Sequence, residues 1–155
     1  MNDTEDPIAW LLRQVDEDER LAQAAQIRTE PPWSREPWPE SPLPEADGVV
    51  DRNGDGIVVA RGSCIGEHIV NWDPARVLAE CEAKRRVAEA HCPVVASSRV
   101  PHGRACLICH WPSDWPCQTL KLLAQPYAGR EGFPGELRVE KPNGAPLIAS
   151  RISPQ

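Results

Sequence analysis

The sequence lacks a basic block, a long apolar run and a glycine-rich phosphate-binding loop. Its 155 residues carry a net charge of −6 without a lysine- or arginine-rich tail, so bulk attraction to nucleic acid has little support. No stretch has the length and apolarity of a membrane-spanning helix. The first residues, MNDTEDPIAW, lack the basic and apolar regions of a signal peptide. We therefore expect a cytoplasmic protein that does not associate with a membrane.

Cysteine is plentiful compared with the other residues that bind soft metals, with six cysteines against four histidines and one methionine. Disulfides are rare in a reducing compartment, so these cysteines indicate metal binding more than disulfide formation. Catalysis has little support, because the acidic residues fall mostly on exposed helix faces and the histidines cluster near the cysteines. We expect the protein not to be an enzyme.

Most of the cysteines and histidines are concentrated in one segment, HCPVVASSRVPHGRACLICHWPSDWPC. Within it, Cys106 and Cys109 form a CxxC pair, and Cys117 follows at the start of a predicted helix, where the helix dipole lowers the pKa of a thiol. Three thiolates with one further soft or imidazole ligand suit tetrahedral zinc. The fourth ligand is either His91 or Cys92. The predicted cofactor is one zinc ion in a closed structural site.

An iron–sulfur cluster is the main alternative to zinc. Four cysteines, Cys92, Cys106, Cys109 and Cys117, are enough to hold such a cluster. Their layout resembles that of the WhiB-like iron–sulfur regulators. The glycine- and tryptophan-rich turn that follows the last cysteine in those regulators is missing here.

Three helices and two hairpins are predicted. Asp6-Pro7 and Asp73-Pro74 each combine an N-cap with proline at the first helical position, which predicts helices over 7–26 and 74–91. A third helix is expected over 117–125. The first two helices should pack through Leu11, Leu12, Val15, Val77, Leu78 and Cys81, with Trp10 and Trp72 at the border of that core.

Residues 29–48 contain six prolines and are expected to be an extended linker or a strap over the surface, in which Trp33 and Trp38 contact the core or a partner. Two β-branched runs around a turn predict a hairpin over 49–60. The turn also imitates a calcium loop, but Gly62 occupies the position of its bidentate glutamate. A second hairpin is expected over 136–150.

The predicted fold is therefore α+β, a small zinc-stapled domain with three helices and two β-hairpins. We expect one domain over residues 1–155, made of the first helix, the linker 29–48, a hairpin and zinc-stapled helical core over 49–128, and an extension over 130–155. The length is sufficient for one modest core.

Three segments together resemble an uncharacterised domain family of actinobacteria and their bacteriophages. They are WLLRQVDEDERLA, HIVNWDPARVLAECEAKRRVAEAH and CLICHWPSDWPCQTLKLLAQPYA. The resemblance covers roughly residues 8–128. It implies that the histidine ending the second helix, His91, completes the metal site rather than Cys92. It implies no activity, substrate or partner.

The expected function is that of a zinc-binding adaptor, which binds a protein partner through Trp33 and Trp38. Such an adaptor could be phage-encoded or act as a host-interaction factor. Tryptophan is enriched among residues that anchor interfaces. The rival function is a zinc- or iron–sulfur-containing regulator that binds nucleic acid. Its basic patch would consist of Arg85, Arg86, Arg99 and Arg104.

Overall fold

The computed structural model describes residues 6–38, 46–95, 104–106, 108–109 and 115–139. These residues form four α-helices and two small antiparallel sheets, so the fold is α+β as predicted. The helices are α1 (Pro7–Arg28), α2 (Ser63–Val70), α3 (Pro74–Ala90) and α4 (Gln118–Ala124). The strands are β1 (Ser34–Pro37), β2 (Ala46–Val50), β3 (Gly56–Arg61), β4 (Pro93–Val95) and β5 (Arg104–Cys106).

The two long helices begin at the predicted aspartates. The Asp6 carboxylate accepts a hydrogen bond of 2.8 Å from the backbone N–H of Ile8, and the Asp73 carboxylate accepts one of 2.8 Å from that of Arg76. These bonds satisfy N–H groups that the first helical turn leaves without a partner. The C-cap of α3 is His91, so the sequence that ends this helix also presents a potential metal ligand.

The predicted packing of α1 against α3 is confirmed. Trp10 is only 1% exposed and lies inside the core rather than at its border, and the Phe133 ring meets it edge-on at a centroid distance of 5.3 Å. Trp72 is 45% exposed, and Leu78 is half-buried outside the core clusters. The first core cluster consists of Trp10, Leu11, Val15, Cys81, Ala124, Tyr127 and Leu137.

A second core cluster surrounds the cysteines. Its buried members are Ala88, Cys106, Cys117 and Leu120. Leu12, predicted to pack between the first two helices, packs against this second cluster, which includes Ala88 of α3. Because α1 contributes to both clusters, it connects the main core to the region of the cysteines.

The predicted hairpin is confirmed and forms part of a three-stranded sheet in the order β1-β2-β3. The interpretation of 29–48 as a linker is wrong for β1 and for the first residues of β2. β1 tolerates Pro37 because it is an edge strand, where a missing N–H costs no ladder bond. Gly48 resembles a turn residue but lies beneath Trp38, where a Cβ would be 2.4 Å from the indole Cε3 atom.

Asp51 holds the hairpin turn. Its carboxylate accepts hydrogen bonds from the backbone N–H groups of Glu30 at 3.0 Å, Asn53 at 2.9 Å and Asp55 at 3.0 Å. The bond from Glu30 contributes most to lowering the pKa of this carboxyl. The oxygens of Asp51 therefore fix a turn and connect it to the end of α1, in agreement with the hairpin interpretation of this segment.

α2 was not predicted. Its N-cap is Gly62, which has a φ of 87° and provides no side-chain hydrogen bond, so the usual sequence signal of a helix start is missing. The helix packs on the three-stranded sheet, with Gly66 so close to Arg35 and Asp47 that a Cβ there would be 3.1 Å from the Arg35 Cδ atom. Its position depends on this tertiary contact.

The predicted C-terminal hairpin is wrong in its first half. Residues Gly135–Leu137 form a 3-10 helix, and Leu137 is completely buried in the first core cluster. A second 3-10 helix, Gln125–Tyr127, directly follows α4. The predicted second strand, residues 147–150, lies outside the described residues.

Candidate metal centre

Four secondary-structure ends converge on the cysteine-rich region. His91 caps the C-terminus of α3, and Cys117 caps the N-terminus of α4. Cys106 is the last residue of β5, where it pairs with Pro93 of β4. Since β4 begins two positions after His91, this short ladder holds Cys106 beside the end of α3.

The donor atoms of these residues gather around one point. The Nδ1 atom of His91 lies 3.3 Å from the Sγ atom of Cys106, 3.4 Å from that of Cys109 and 3.5 Å from that of Cys117. All four donor atoms lie within 4.8 Å of one another. A tetrahedral ion with Zn–N near 2.0 Å and Zn–S near 2.3 Å separates nitrogen and sulfur by about 3.5 Å. The residues therefore lie close enough to hold a single metal ion.

The environment differs among the three thiols. Cys106 and Cys117 are buried, whereas Cys109 is exposed. Burial acts to raise the pKa of Cys106, but the backbone N–H groups of Cys109 and Ile108 and the His91 ring outweigh it and lower that pKa to about 7. The Cys109 N–H donates to the Cys106 sulfur over 3.4 Å. The CxxC turn thus stabilises a thiolate.

Cys117 corrects one expectation from the sequence. Its position at the start of α4 predicts a lowered pKa, but burial and the neighbouring thiols raise the pKa to about 11. The backbone N–H of Leu120 opposes this rise without overcoming it. A bound cation would supply the positive charge that the short helix does not, because thiols bind metals in their deprotonated form.

The remaining predicted ligands lie apart from this group. Cys92, the alternative fourth ligand, is half-buried and does not belong to the cluster of donor atoms among the described residues. An iron–sulfur cluster held by four cysteines would require Cys92. The observed group instead contains an imidazole, the arrangement that the resemblance implies.

Trp33 and Trp38, the predicted partner-binding residues, lie in two different places. Trp33 is half-buried, and its indole N–H donates to the Thr29 hydroxyl over 3.2 Å. It lines a groove of about 330 Å³ between α1 and α3, which we name the α1–α3 groove. Trp38 instead covers Gly48 on the three-stranded sheet. The two tryptophans therefore do not form one surface.

The α1–α3 groove was not predicted as a binding surface. Its apolar wall includes Leu21, Ala25, Trp33, Trp72 and Val77. Leu21 is 53% exposed and Trp72 is 45% exposed, and because both line the same groove they form an exposed apolar patch there. The sequence contained one sign of this surface, because Trp72 directly precedes Asp73, the N-cap of α3. The sequence pattern, however, predicted that Trp72 lies at the border of the core.

The predicted arginine patch is divided. The Arg85 guanidinium donates to Asp16 at 2.7 Å and also to Glu19, both on α1. Arg86 pairs with Glu82 at 2.7 Å on its own helix. Arg99 and the side chain of Arg104 lie outside the described part of the chain.

The acidic run of α1 is correspondingly less solvated than predicted. Besides Asp16 and Glu19, which hold Arg85, Asp18 accepts hydrogen bonds from Tyr127 and from Arg130. These carboxylates connect α1 to α3 and to the C-terminal part of the described chain. The acidic run of α1 therefore contributes to packing as well as to the surface.

The fold and these ligands define a class: an α+β protein in which one histidine and three cysteines could hold a metal ion. The chain belongs to the family of unknown function DUF6221, whose profile matches residues 4–139. This match confirms the resemblance to an uncharacterised family. It also extends beyond residue 128, where the resemblance ended, and includes the buried Leu137. No curated protein and no solved structure matches the chain. Among the described residues, none of the helices combines the length and apolarity needed to cross a membrane.

Proposed function

We propose that the protein is a non-enzymatic cytoplasmic adaptor, stapled by one zinc ion, whose α1–α3 groove binds a protein partner. The observation that supports zinc is the donor set, one imidazole and three thiols at tetrahedral spacing. Soft ligands of this kind select zinc over magnesium or calcium. Four protein ligands leave no open position for a reacting water, so the ion is structural.

The groove supports the adaptor role. Trp33 is fixed by its hydrogen bond to Thr29, and Trp72 is held by the Arg76 guanidinium, which lies 4.7 Å from the centre of its ring. Aromatic side chains that are already ordered in the free protein lose little entropy on binding. Two such rings with the exposed Leu21 form a suitable surface for an apolar anchor of a partner.

Affinity capture with matched variants tests the adaptor role. Purified protein carrying Trp33→Ala or Trp72→Ala should lose a partner that the wild type captures from a lysate. Leu122→Ala, which removes a 55% exposed residue from α4, should keep it. Equal capture by all variants, or no saturable partner for the wild type, would contradict the adaptor proposal and leave the metal site unaffected.

Nucleic-acid binding is the second candidate, and the charge pairs disfavour it. Two carboxylates neutralise Arg85, and Glu82 pairs with Arg86, so these two arginines are already occupied. Phosphate binding needs cations whose counterions are released on contact. Titration with duplex DNA at two salt concentrations should show weak binding that Arg85→Ala does not change. Tight, strongly salt-dependent binding that this variant abolishes would favour the regulator instead.

A further inference from the structure

The three-stranded sheet has two edges of opposite character. β1 has the features that prevent an edge strand from pairing with another chain, because Arg35 and Glu36 are charged and exposed and Pro37 lacks an N–H. β3 has the sequence GIVVAR and carries no charge before Arg61. Unprotected apolar edge strands are templates for a further strand.

The outer side of β3 is accessible. Within the described ranges β3 pairs only with β2, and α2 lies across the sheet face near Arg35 and Asp47. Val58 is 40% exposed and Val59 is 42% exposed. With Trp38 they line a concavity of about 270 Å³. Among the described residues, no second strand occupies this side of β3, so an additional strand could pair there next to apolar side chains.

Opposite charges flank β3. Asp55 precedes the strand and Arg61 ends it, both are exposed, and neither forms a salt bridge with a described residue. In an antiparallel pair of two identical strands centred on Val58, Asp55 of each copy lies opposite Arg61 of the other. The register shift opposite Val50 moves this match by about one residue, or about 3.3 Å. A long arginine side chain spans that distance.

We propose that β3 is a self-association edge, at which two copies of the chain pair antiparallel and form one continuous six-stranded sheet. The occupant is a second copy because the charge pattern is complementary to itself: each dimer would contain the Asp55–Arg61 pair twice. The interface is small, so the dimer is a weak and reversible one. This inference does not depend on the metal or on the partner in the α1–α3 groove.

Analytical ultracentrifugation of the full chain over a concentration series tests the proposal. We expect a reversible monomer–dimer equilibrium for the wild type. Val59→Lys places a charge in the apolar edge and should leave only monomer. Leu122→Lys, an equivalent change at an exposed leucine of α4, should dimerise as the wild type does. Circular dichroism confirms that both variants are folded.

A charge exchange tests the register. Asp55→Arg brings two pairs of like charges together and should raise the dissociation constant about tenfold or more. Combining it with Arg61→Asp should restore the wild-type constant, which neither a general loss of stability nor unrelated association would do. A wild type that stays monomeric up to about 1 mM would overturn the proposal and leave the edge to an extended segment of another protein. Dimerisation unchanged by Val59→Lys would also overturn it.

Discussion

The Tyr127 hydroxyl donates a hydrogen bond of 2.8 Å to the Asp18 carboxylate and so connects the segment after α4 to the middle of α1. Burial and the adjacent Asp18 raise the pKa of Tyr127, so the phenol stays protonated and continues to donate. Arg130 holds the other Asp18 oxygen at 2.6 Å, and its guanidinium lies 4.7 Å from the centre of the Tyr127 ring. The acidic run of α1 thereby fixes the C-terminal part of the core.

Tyr127→Phe should lower the free energy of unfolding by about 1.5–3 kcal/mol, because it removes a hydrogen bond to a charged group and keeps the ring. Denaturant unfolding measures the change. Asp18→Asn serves as the partner in a double-mutant cycle, and the two effects should be clearly non-additive. Additive effects would show that the bond does not couple the two segments.

Much of the fold could be predicted where a local signal is sufficient. Asp6 and Asp73 each predicted a helix start, because an N-cap followed by proline has few other structural uses. α2 escaped prediction because Gly62 offers no cap. The start of β2 was not predicted, because a glycine such as Gly48 usually indicates a turn. Here glycine is needed because the Trp38 ring packs directly against this position. In both cases a distant contact determines the structure, and the sequence around the element does not contain it.

The candidate metal centre was largely predictable for a different reason. The CxxC spacing of Cys106 and Cys109 predicts geometry directly, because two thiols on one tight turn can bind the same ion. The choice between His91 and Cys92 was not decidable from spacing, since adjacent residues differ only in direction. The end of α3 determines that direction, and it points the imidazole toward the thiols.

Asp51 predicts a pH dependence of stability. Its pKa in the folded state is below the ordinary value of 3.8, chiefly because the Glu30 amide donates a hydrogen bond to it. The ionised carboxylate therefore stabilises the folded protein more than the protonated carboxyl does. The contribution is therefore present above the ordinary pKa and is lost as the pH falls through the lowered one. Asp51→Asn should be less stable than the wild type near pH 7, and the difference should shrink in acid.

Urea unfolding at a series of pH values measures this difference. Glu36→Gln removes an exposed carboxylate from β1 and provides the control, with no comparable loss near neutral pH. If Asp51→Asn were equally destabilised at every pH, the role of Asp51 would depend on its shape rather than on its charge.

Gly48 predicts a steric coupling to Trp38. Gly48→Ala would place a Cβ 2.4 Å from the indole, so the ring must leave the sheet, at a cost of about 1 kcal/mol or more. Gly56→Ala is the matched control, because its Cβ would lie 3.6 Å from the same ring, an ordinary contact. In a Trp38→Ala background the penalty of Gly48→Ala should disappear. A penalty that persists there would place its cause in the backbone.

The proposed zinc site predicts opposite results for two adjacent substitutions. His91→Ala removes the donor that lies within 3.5 Å of all three thiols, so purified protein should hold well under half an equivalent of zinc. Cys92→Ser should retain one equivalent, since its sulfur is outside the group. Elemental analysis after extensive dialysis gives both values. Loss of zinc from Cys92→Ser with full retention by His91→Ala would reassign the fourth ligand.

Removing the proposed zinc ion should loosen one core cluster more than the other. Structural zinc contributes about 10–16 kcal/mol of apparent folding free energy in zinc-finger peptides, and less is expected here because the first core cluster contains no proposed ligand. The second cluster includes Cys106 and Cys117, so a chelator should lower hydrogen-exchange protection around Leu120 first. Protection around Leu11 should persist, because α1 and α3 continue to bury it. Simultaneous loss at both leucines would mean that the ion holds the whole fold together.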